Sequence, residues 1–295
     1  MEFFRPTSLA EALDLRAAHP QARPLCGGTD VMVELNFDRG RPAGLLDLTA
    51  VPELRGWERR DGTVRLGAAA TYAQVVDELG RLLPALAIAS RSVGSPQIRN
   101  RGTVGGNLGS ASPAGDAHPA LLAAGADVEL ASVRGTRRVA VSDFFTGPKR
   151  SVLAPDELVT AVHVPVAGGP QQFSKVGTRN AMVIAVCSFS VALHPAARAV
   201  GTGIGSAAPT PRRAPEAETW LAETLEREGA WHERAPLPPE VPRRFGDLVA
   251  AAASPIDDVR GTAAYRRHAL SVLARRTLTW TWDEYTRAES GSEDL

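Results

Sequence analysis

Two Gly-Gly pairs, each beside a hydroxyl residue and a short polar residue, are the part of the sequence best suited to bind a ligand. They lie in CGGTD (Cys26 to Asp30) and in TVGGN (Thr103 to Asn107). Glycine permits backbone conformations with positive φ, and without a Cβ it lets a ligand approach the amide groups. Successive N–H groups in such turns form anion-binding nests. Two loops about 75 residues apart could therefore hold a pyrophosphate from opposite sides.

The second pair lies in a stretch of low bulk, residues 101–130, that holds six glycines and two prolines. Such a stretch is typical either of a close-approach binding site or of a disordered linker. Side chains from both loops could hydrogen-bond to phosphate or polyol oxygens: Thr29, Thr103, Asn107, Ser110 and Asp116. The residues alone leave open whether these loops bind a ligand or are merely tight turns.

Lys175 stands at the start of an apolar run in FSKVGTRNAMVIAV. Burial of a lysine is unfavourable unless its charge is paired. We therefore expect the Lys175 ammonium to lie beside an anionic group.

Other motifs exclude several kinds of site. GTGIGSAAP, residues 201–209, has the spacing G-x-G-x-G and ends in proline, whereas the nicotinamide-dinucleotide fingerprint needs G-x-G-x-x-G at the start of a helix. No G-x-x-x-x-G-K-[ST] phosphate loop occurs. The six histidines form no H-x-x-x-H pair and the two cysteines are far apart, so we expect no metal or iron–sulfur site. The sequence also assigns no catalytic residue.

Three further features have plain structural interpretations. His118 is expected to form a local hydrogen bond, and Cys26 to be a small residue before a glycine turn rather than a reactive thiol. A cationic cluster is expected to be a solvated helix face or part of a subunit contact: Arg266, Arg267, His268, Arg275 and Arg276.

Composition and charge are those of an ordinary globular protein. The 295 residues are 44% hydrophobic and 22% charged, and the length suggests two or three domains. Lys plus Arg and Asp plus Glu each number 33, and this zero net charge argues against nucleic-acid binding. The N-terminus has no signal-peptide pattern, and no apolar run reaches the roughly 18 residues needed to span a membrane. We expect a cytoplasmic protein with reduced thiols and no membrane contact.

Short strands and helices follow one another irregularly. Ser8 with Glu11, and Thr71 with Gln74, are capping-box patterns, so a helix is predicted after each. A hairpin is predicted around Asp61-Gly62. Because the order is not a strict βαβ alternation, the fold class is predicted to be α+β.

Glycine and proline in VAGGPQ, residues 166–171, predict a domain boundary. Beyond it, QFSKVGTRNAMVIAVCSFSVAL contains an apolar run long enough for a buried strand, and AVGTGIGSAA follows after a turn. Two helices are predicted, around EAETWLAETLE and along TAAYRRHALSVLARRTL. The polar tail AESGSEDL is expected to be frayed.

Five segments, in this order along the chain, resemble a known family: CGGTDVMVEL, TVGGNLGSASPAGDAHPALLA, FFTGPKRSVLAPDELV, KVGTRNAMVIAV and DDVRGTAAYRRHAL. They are similar to the FAD-binding medium subunits of the molybdenum hydroxylases, relatives of xanthine dehydrogenase and aerobic carbon monoxide dehydrogenase. The resemblance covers Met1 to Tyr285 and is strongest to bacterial xanthine dehydrogenase FAD subunits. The paired glycine loops and the Ser-Pro-x-x-Asp stretch are its specific features.

The resemblance implies an FAD-binding domain of the vanillyl-alcohol-oxidase type over residues 1–168, made of two α+β subdomains at about 1–55 and 56–168. A smaller C-terminal sheet-and-helix domain of the carbon monoxide dehydrogenase flavoprotein type would follow over residues 171–285. Residues 286–295 would be a polar tail. FAD would be the cofactor, bound noncovalently.

The resemblance also implies which residues contact FAD. The first pyrophosphate loop would be Arg23, Pro24, Leu25, Cys26, Gly27, Gly28, Thr29, Asp30 and Val31, and the second Thr103, Val104, Gly105, Gly106, Asn107 and Ser110. Further contacts would come from Val93, Gly94, Asp116, Leu158 and Lys175. The Lys175 ammonium would lie near the isoalloxazine and favour its anionic reduced form. Cys26 departs from the small aliphatic residues common at its position.

Members of this family take electrons from two [2Fe–2S] clusters of a small subunit and pass them to NAD or oxygen, while a large molybdopterin subunit hydroxylates the substrate. The resemblance therefore implies an FAD-dependent oxidoreductase subunit in a heterotrimer, or in a dimer of heterotrimers. Its substrate would be xanthine or a related heterocycle, in purine catabolism. Two alternatives stay open: a stand-alone FAD-dependent oxidoreductase on the same scaffold, and a non-enzymatic module that binds another nucleotide.

Overall fold

A computed structural model describes residues 1–287 of the protein. The first part is a small parallel sheet with two helices: β1 (Glu2–Phe4), α1 (Leu9–Ala18), β2 (Arg23–Leu25), α2 (Val31–Asn36) and β3 (Gly44–Asp47). The strand order is β1-β3-β2, and both pairings are parallel. The Ser8 hydroxyl accepts a hydrogen bond from the Glu11 amide and so caps α1. The Glu11 carboxylate accepts a hydrogen bond from the Thr7 amide and not from the Ser8 amide, so only half of the predicted capping box forms.

The second part is a five-stranded antiparallel sheet with its connecting helices. Its elements are β4 (Trp57–Arg60), β5 (Thr63–Gly67), α3 (Tyr72–Glu78), α4 (Pro84–Arg91), α5 (Pro96–Arg99), α6 (Val104–Ser110), α7 (Ala117–Ala124), β6 (Asp127–Ser132), β7 (Gly135–Ala140), α8 (Val141–Phe144), β8 (Phe145–Gly147), β9 (Arg150–Ser151) and β10 (Leu158–Pro165). The strand order is β4-β5-β10-β6-β7, and β8 pairs separately with β9. The predicted hairpin is present: Asp61 and Gly62 both have positive φ, as a tight two-residue turn requires.

The low-bulk stretch is folded and is not a linker, because it forms α6 and α7. The Thr103 hydroxyl caps α6 by accepting an amide of its first turn at 2.9 Å. A Cβ at Gly105 would overlap Ala68, and a Cβ at Gly27 would overlap the Arg101 carbonyl. These glycines therefore bring separate backbone segments into direct contact.

The C-terminal part is a three-stranded antiparallel sheet with helices on both faces. Its elements are β11 (Gln171–Val176), β12 (Cys187–His194), β13 (Ala199–Gly205), α9 (Pro215–Arg227), α10 (Ala230–Glu233), α11 (Glu240–Ala251) and α12 (Ala263–Arg287). The strand order is β11-β12-β13. α12 continues to Arg287, two residues into the predicted tail, and residues 288–295 of that tail lie outside the described residues.

The glycines of GTGIG have a packing role. A Cβ at Gly201 or Gly203 would overlap the carbonyl of Ala123 or Pro119 on α7. Side chains of a strand alternate between its two faces, so a glycine at every second position leaves one face of β13 bare. α7 packs on that bare face, while Val200 and Ile204 join the core with α9, α11 and α12 on the other.

The apolar run after Lys175 contains the predicted buried strand, but the first part of the run is not strand. Residues 177–186 form a loop, and the buried strand begins only at Cys187. Met182 has a φ of 50° and an exposed side chain. The exposed apolar side chains of this loop therefore belong to a surface of the protein and not to its core.

The predicted solvated cluster on α12 is wrong for one member. Arg266 is buried, and its guanidinium donates to the carbonyls of Val186 and Ser206 and to the Asp258 carboxylate. These bonds tie the end of the loop 177–186 to the start of α12. The remaining four members are exposed: Arg267, His268, Arg275 and Arg276.

Candidate functional site

A cavity of about 720 Å³ lies between the two Gly-Gly loops. Its walls come from β2 and the start of α2, from α6, from the segments around Gly94 and Asp116, and from the loop 177–186. This volume is in the range of known cofactor sites. The cavity is therefore the candidate site.

Most of the residues predicted to contact a cofactor line this cavity. They are Arg23, Pro24, Cys26, Gly27, Gly28, Thr29, Asp30, Val31, Val93, Gly94, Thr103, Gly105, Gly106, Asn107, Ser110, Asp116 and Leu158. Leu25, Val104 and Lys175 are not among the wall residues, and Val104 belongs to the apolar core.

The first loop supplies free backbone amides. Within residues 1–287, the N–H groups of Gly27, Gly28, Thr29 and Asp30 donate no hydrogen bond. Gly28 has a φ of 77°, a conformation that favours glycine. Consecutive unpaired amides of this kind bind an anion without formal charge, so this loop is suited to a diphosphate.

α6 has the opposite character, because its first amides are already used. The N–H groups of Val104 and Gly105 donate to carbonyls of the segment 68–70, each at 3.2 Å. α6 instead presents a surface without side chains to the cavity, because Gly106 and Gly109 are exposed and line it. The expectation that both loops present free amides is therefore met by the first loop only.

Buried acceptors near α6 lack a partner. Oδ1 of Asn107, Oδ1 of Asp116 and Nδ1 of His118 have no hydrogen bond within the described part of the chain. Burial lowers the pKa of His118 to about 4, so the ring is neutral at pH 7, and Nε2 donates to the Asn107 carbonyl at 3.2 Å. Asn107 and Asp116 line the cavity. Because an unpaired buried acceptor is unfavourable, both fit a ligand with hydroxyl or N–H donors, as FAD has.

Lys175, on β11, forms a buried ion pair with Asp116. Nζ lies 2.7 Å from Oδ2 of Asp116 and 3.1 Å from the Ser92 carbonyl. The expected pairing is therefore present, and the partner is a protein carboxylate. Burial raises the pKa of Asp116 to about 6, against the opposing effect of the Lys175 ammonium. Lys175 is not a wall residue, so its contact with the cavity is through Asp116, which is one.

Cys26 lines the cavity but is not an activated thiol. Burial raises the pKa of Cys26, and a hydrogen bond with Thr103 only partly opposes that effect. Its interpretation as a small residue before the glycine turn agrees with this environment.

Other wall residues were not predicted, and two sets of them shape the cavity. Gly109 follows Gly106 by three positions, which places both on one face of α6, and this spacing is the signal that could have revealed it. Met182, Val183 and Ile184 come from the loop 177–186, in the apolar run that precedes the buried strand. Their side chains give the cavity an apolar wall.

Comparison with known families identifies the class of protein. Residues 1–167 match the family described as the FAD binding domain in molybdopterin dehydrogenase, and residues 172–281 match the CO dehydrogenase flavoprotein C-terminal domain. The chain belongs to this family of FAD-binding oxidoreductase subunits, with FAD as cofactor, so the predicted resemblance is confirmed. The residue boundaries of the predicted domains and the individual FAD contacts stay predictions.

Individual relatives agree with that class. The chain is 31% identical to the xanthine dehydrogenase FAD-binding subunit of Escherichia coli O157:H7, over 94% of each chain. It is 30% identical to the nicotine 6-hydroxylase medium subunit of Paenarthrobacter nicotinovorans, over 94% of this chain and 96% of that one. The reconstituted CO dehydrogenase from Oligotropha carboxidovorans has the same fold, with a TM-score of 0.87 and 28% identity over 96% of this chain and 98% of that one.

Two kinds of feature are absent from residues 1–287. No helix there is long and apolar enough to cross a membrane. No group of three or more His, Cys, Asp or Glu side chains is placed to hold a metal ion.

Replacing Gly109 by valine tests whether α6 forms a wall of the FAD site. A Cβ at Gly109 meets no atom within 4 Å, and valine is a better helix former than glycine, so the fold should be unaffected. The branched side chain would occupy space that the cofactor needs. We expect FAD affinity, measured by fluorescence titration of the flavin-free protein, to fall about tenfold or more.

Gly168→Val is the matched control for this substitution. Gly168 is exposed, lies outside the cavity, and also has nothing within 4 Å of its Cβ position. It should bind FAD as the wild type does. Equal affinities for all three proteins would remove α6 from the site.

Lys175→Met removes the cation that faces Asp116 while keeping side-chain bulk. The pKa of Asp116 should then rise further above about 6, since the lowering effect of the Lys175 ammonium is lost and only a hydrogen bond with Ser92 still opposes the effect of burial. The ionised Asp116 exists only above its folded pKa, so FAD binding should weaken as the pH falls through that value. We expect the pH midpoint of FAD release to move up by about 1 unit or more, whereas Lys175→Arg keeps a cation and should behave like the wild type. Identical midpoints in the Met variant and the wild type would exclude a role for the pair.

Proposed function

We propose that this chain is the FAD-carrying subunit of a three-subunit molybdenum hydroxylase, which takes electrons from [2Fe–2S] clusters of one partner and passes them to NAD or oxygen. Hydroxylation of xanthine or a related heterocycle would take place on a molybdopterin-binding partner. The observation that supports this most strongly is the cavity with free amides on one side and unpaired buried acceptors on the other. The 31% identity to a xanthine dehydrogenase FAD-binding subunit supports the choice of substrate class.

The walls of the cavity indicate how each part of the cofactor would be held. The amides of Gly27 to Asp30 would bind the diphosphate, and Asn107 and Asp116 would accept hydrogen bonds from its hydroxyl or N–H groups. The apolar side chains of the loop 177–186 would exclude water from the cavity. When bound, FAD supplies a centre that accepts electrons singly and releases them in pairs, while the protein contributes position and electrostatics.

The chain needs a partner as electron donor, because it cannot carry an iron–sulfur cluster. A [2Fe–2S] cluster uses four cysteine ligands, and this sequence has only Cys26 and Cys187. Cys187 is buried in the C-terminal core, and burial raises its pKa to about 12. The relatives named medium subunit or medium chain belong to enzymes of several chains by that description.

Co-expression with the iron–sulfur and molybdopterin subunits tests the proposal. We expect the three chains to co-elute in size-exclusion chromatography and to reduce NAD in a xanthine-dependent manner. The isolated chain should bind FAD and show no activity on xanthine, since no group of side chains within residues 1–287 is placed to hold a metal ion that would activate water.

One result would contradict the proposal, and another would decide between the two electron acceptors. If the chain elutes alone and turns over a substrate by itself, it is a stand-alone FAD-dependent oxidoreductase. If oxygen consumption replaces NAD reduction in the assembled enzyme, the acceptor is oxygen.

A further inference from the structure

A second cleft, of about 500 Å³, lies on the C-terminal part of the protein. It is formed by the residues that lead into α11 and by the second half of α12, and it shares no wall residue with the FAD cavity. We call it the arginine cleft, after Arg243, Arg275 and Arg276 in its wall. The family assignment gives it no role.

The arginine cleft is already formed in the free chain. Its floor includes Trp282, which is buried and whose Nε1 donates to the Ala235 carbonyl at 2.8 Å. The Trp282 ring packs against Tyr285, whose hydroxyl donates to the Trp231 carbonyl at 2.9 Å. A ligand would therefore find this surface without rearrangement of the helices.

The three guanidinium groups have no partner among the described residues. Arg243, Arg275 and Arg276 are exposed, and none of their guanidinium groups forms a hydrogen bond or an ion pair within residues 1–287. Among the wall residues of the cleft, Asp283 is the only acidic side chain. An anionic group bound in the cleft would therefore pair with cations that have no other partner among the described residues.

An exposed indole lies beside these charges. Trp280 is 49% exposed and follows Arg276 by four positions, so the two side chains are neighbours on the surface of α12. Tryptophan and arginine are the residue types most enriched at the energetic centres of protein interfaces. The cleft therefore combines an aromatic anchor with three unpaired cations.

Its chemistry differs from that of a small-anion site. Pro239 and Pro242, at the start of α11, have no N–H groups to donate, so the helix terminus adds little to anion binding. The cations themselves are exposed, and their interaction with an anion is weak unless a larger partner excludes water. A protein segment meets that condition, whereas a free phosphate does not.

We propose that the arginine cleft is the docking site for an acidic segment of a partner subunit, whose carboxylates pair with Arg243, Arg275 and Arg276 and whose apolar side chain packs on Trp280. The proposal rests on the proposed function in one respect, since it requires that the chain works in an assembly. Arg275 lies nine residues after Arg266, which contacts the end of the cavity loop, and nine residues of helix span about 14 Å. The arginine cleft therefore lies along α12 away from the cavity loop, and it shares no wall residue with the cavity.

The test is the affinity of the FAD-loaded chain for its co-expressed iron–sulfur and molybdopterin partners. We expect the double variant Arg275→Glu/Arg276→Glu, and separately Trp280→Ala, to weaken assembly by roughly tenfold or more in biolayer interferometry. FAD content should equal that of the wild type in both. The wild-type affinity should also fall as the salt concentration rises.

Arg267→Glu/His268→Glu is the matched control, because these adjacent residues are exposed on the same helix outside the cleft. It should assemble like the wild type. Equal weakening of both double variants would show a general effect of charge and overturn the proposal, as would full assembly of the cleft variants. A wild-type chain that assembles with no partner overturns the proposed function as well.

Two other occupants have their own signatures, and either would overturn the proposal. A small-anion site would appear as a pyrophosphate-dependent rise in melting temperature of the FAD-loaded wild type that the Arg275→Glu/Arg276→Glu variant lacks. A second copy of this chain would appear as a dimer of the isolated wild type that the same variant converts to a monomer.

Discussion

Direct contact between two backbone segments, at Gly27 and at Arg101, sets the geometry of the candidate FAD site. A side chain at Gly27 would overlap the Arg101 carbonyl, and one at Gly105 would overlap Ala68. The first loop follows β2 of the small parallel sheet, and the second forms the start of α6, which packs on the antiparallel sheet. Absence of a Cβ at these positions lets the two sheets approach closely enough to leave one shared cavity between them.

That contact also separates the chemistry of the two loops. The amides of the first loop have no hydrogen-bond partner within residues 1–287. The first two amides of α6, in contrast, donate to carbonyls of the segment 68–70. Unpaired acceptors on Asn107 and Asp116 complement the amides of the first loop. The Lys175 ammonium, on a strand of the C-terminal sheet, pairs with Asp116 and offsets part of the cost of desolvating that carboxylate. The three larger sheets therefore all contribute residues to the cavity wall or to the groups that contact it. Free amides on one side suit the diphosphate in the middle of FAD, and unpaired acceptors on the other suit hydroxyl or N–H donors of the parts that flank it.

Features with a local cause were predictable from the sequence. The glycine loops, the Asp61-Gly62 hairpin and the start of α1 follow from turn and capping chemistry within a few residues. The Lys175–Asp116 pair joins residues far apart in the chain, and only the need for some anion could be predicted. The apolar run after Lys175 predicted a buried strand but not the residue at which it begins, because a cavity wall and a buried strand look alike in composition. The buried position of Arg266 depends on three acceptors from distant segments, which no local pattern reveals.

Amide hydrogen exchange with and without FAD tests the division between the two loops most directly. Free amides exchange fast and hydrogen-bonded amides exchange slowly. The account predicts that residues 26–30 exchange rapidly in the flavin-free protein and become protected when FAD binds. It also predicts that residues 104–107 at the start of α6 are protected in both states. Protection that FAD induces in α6 while residues 26–30 stay unchanged would contradict the account.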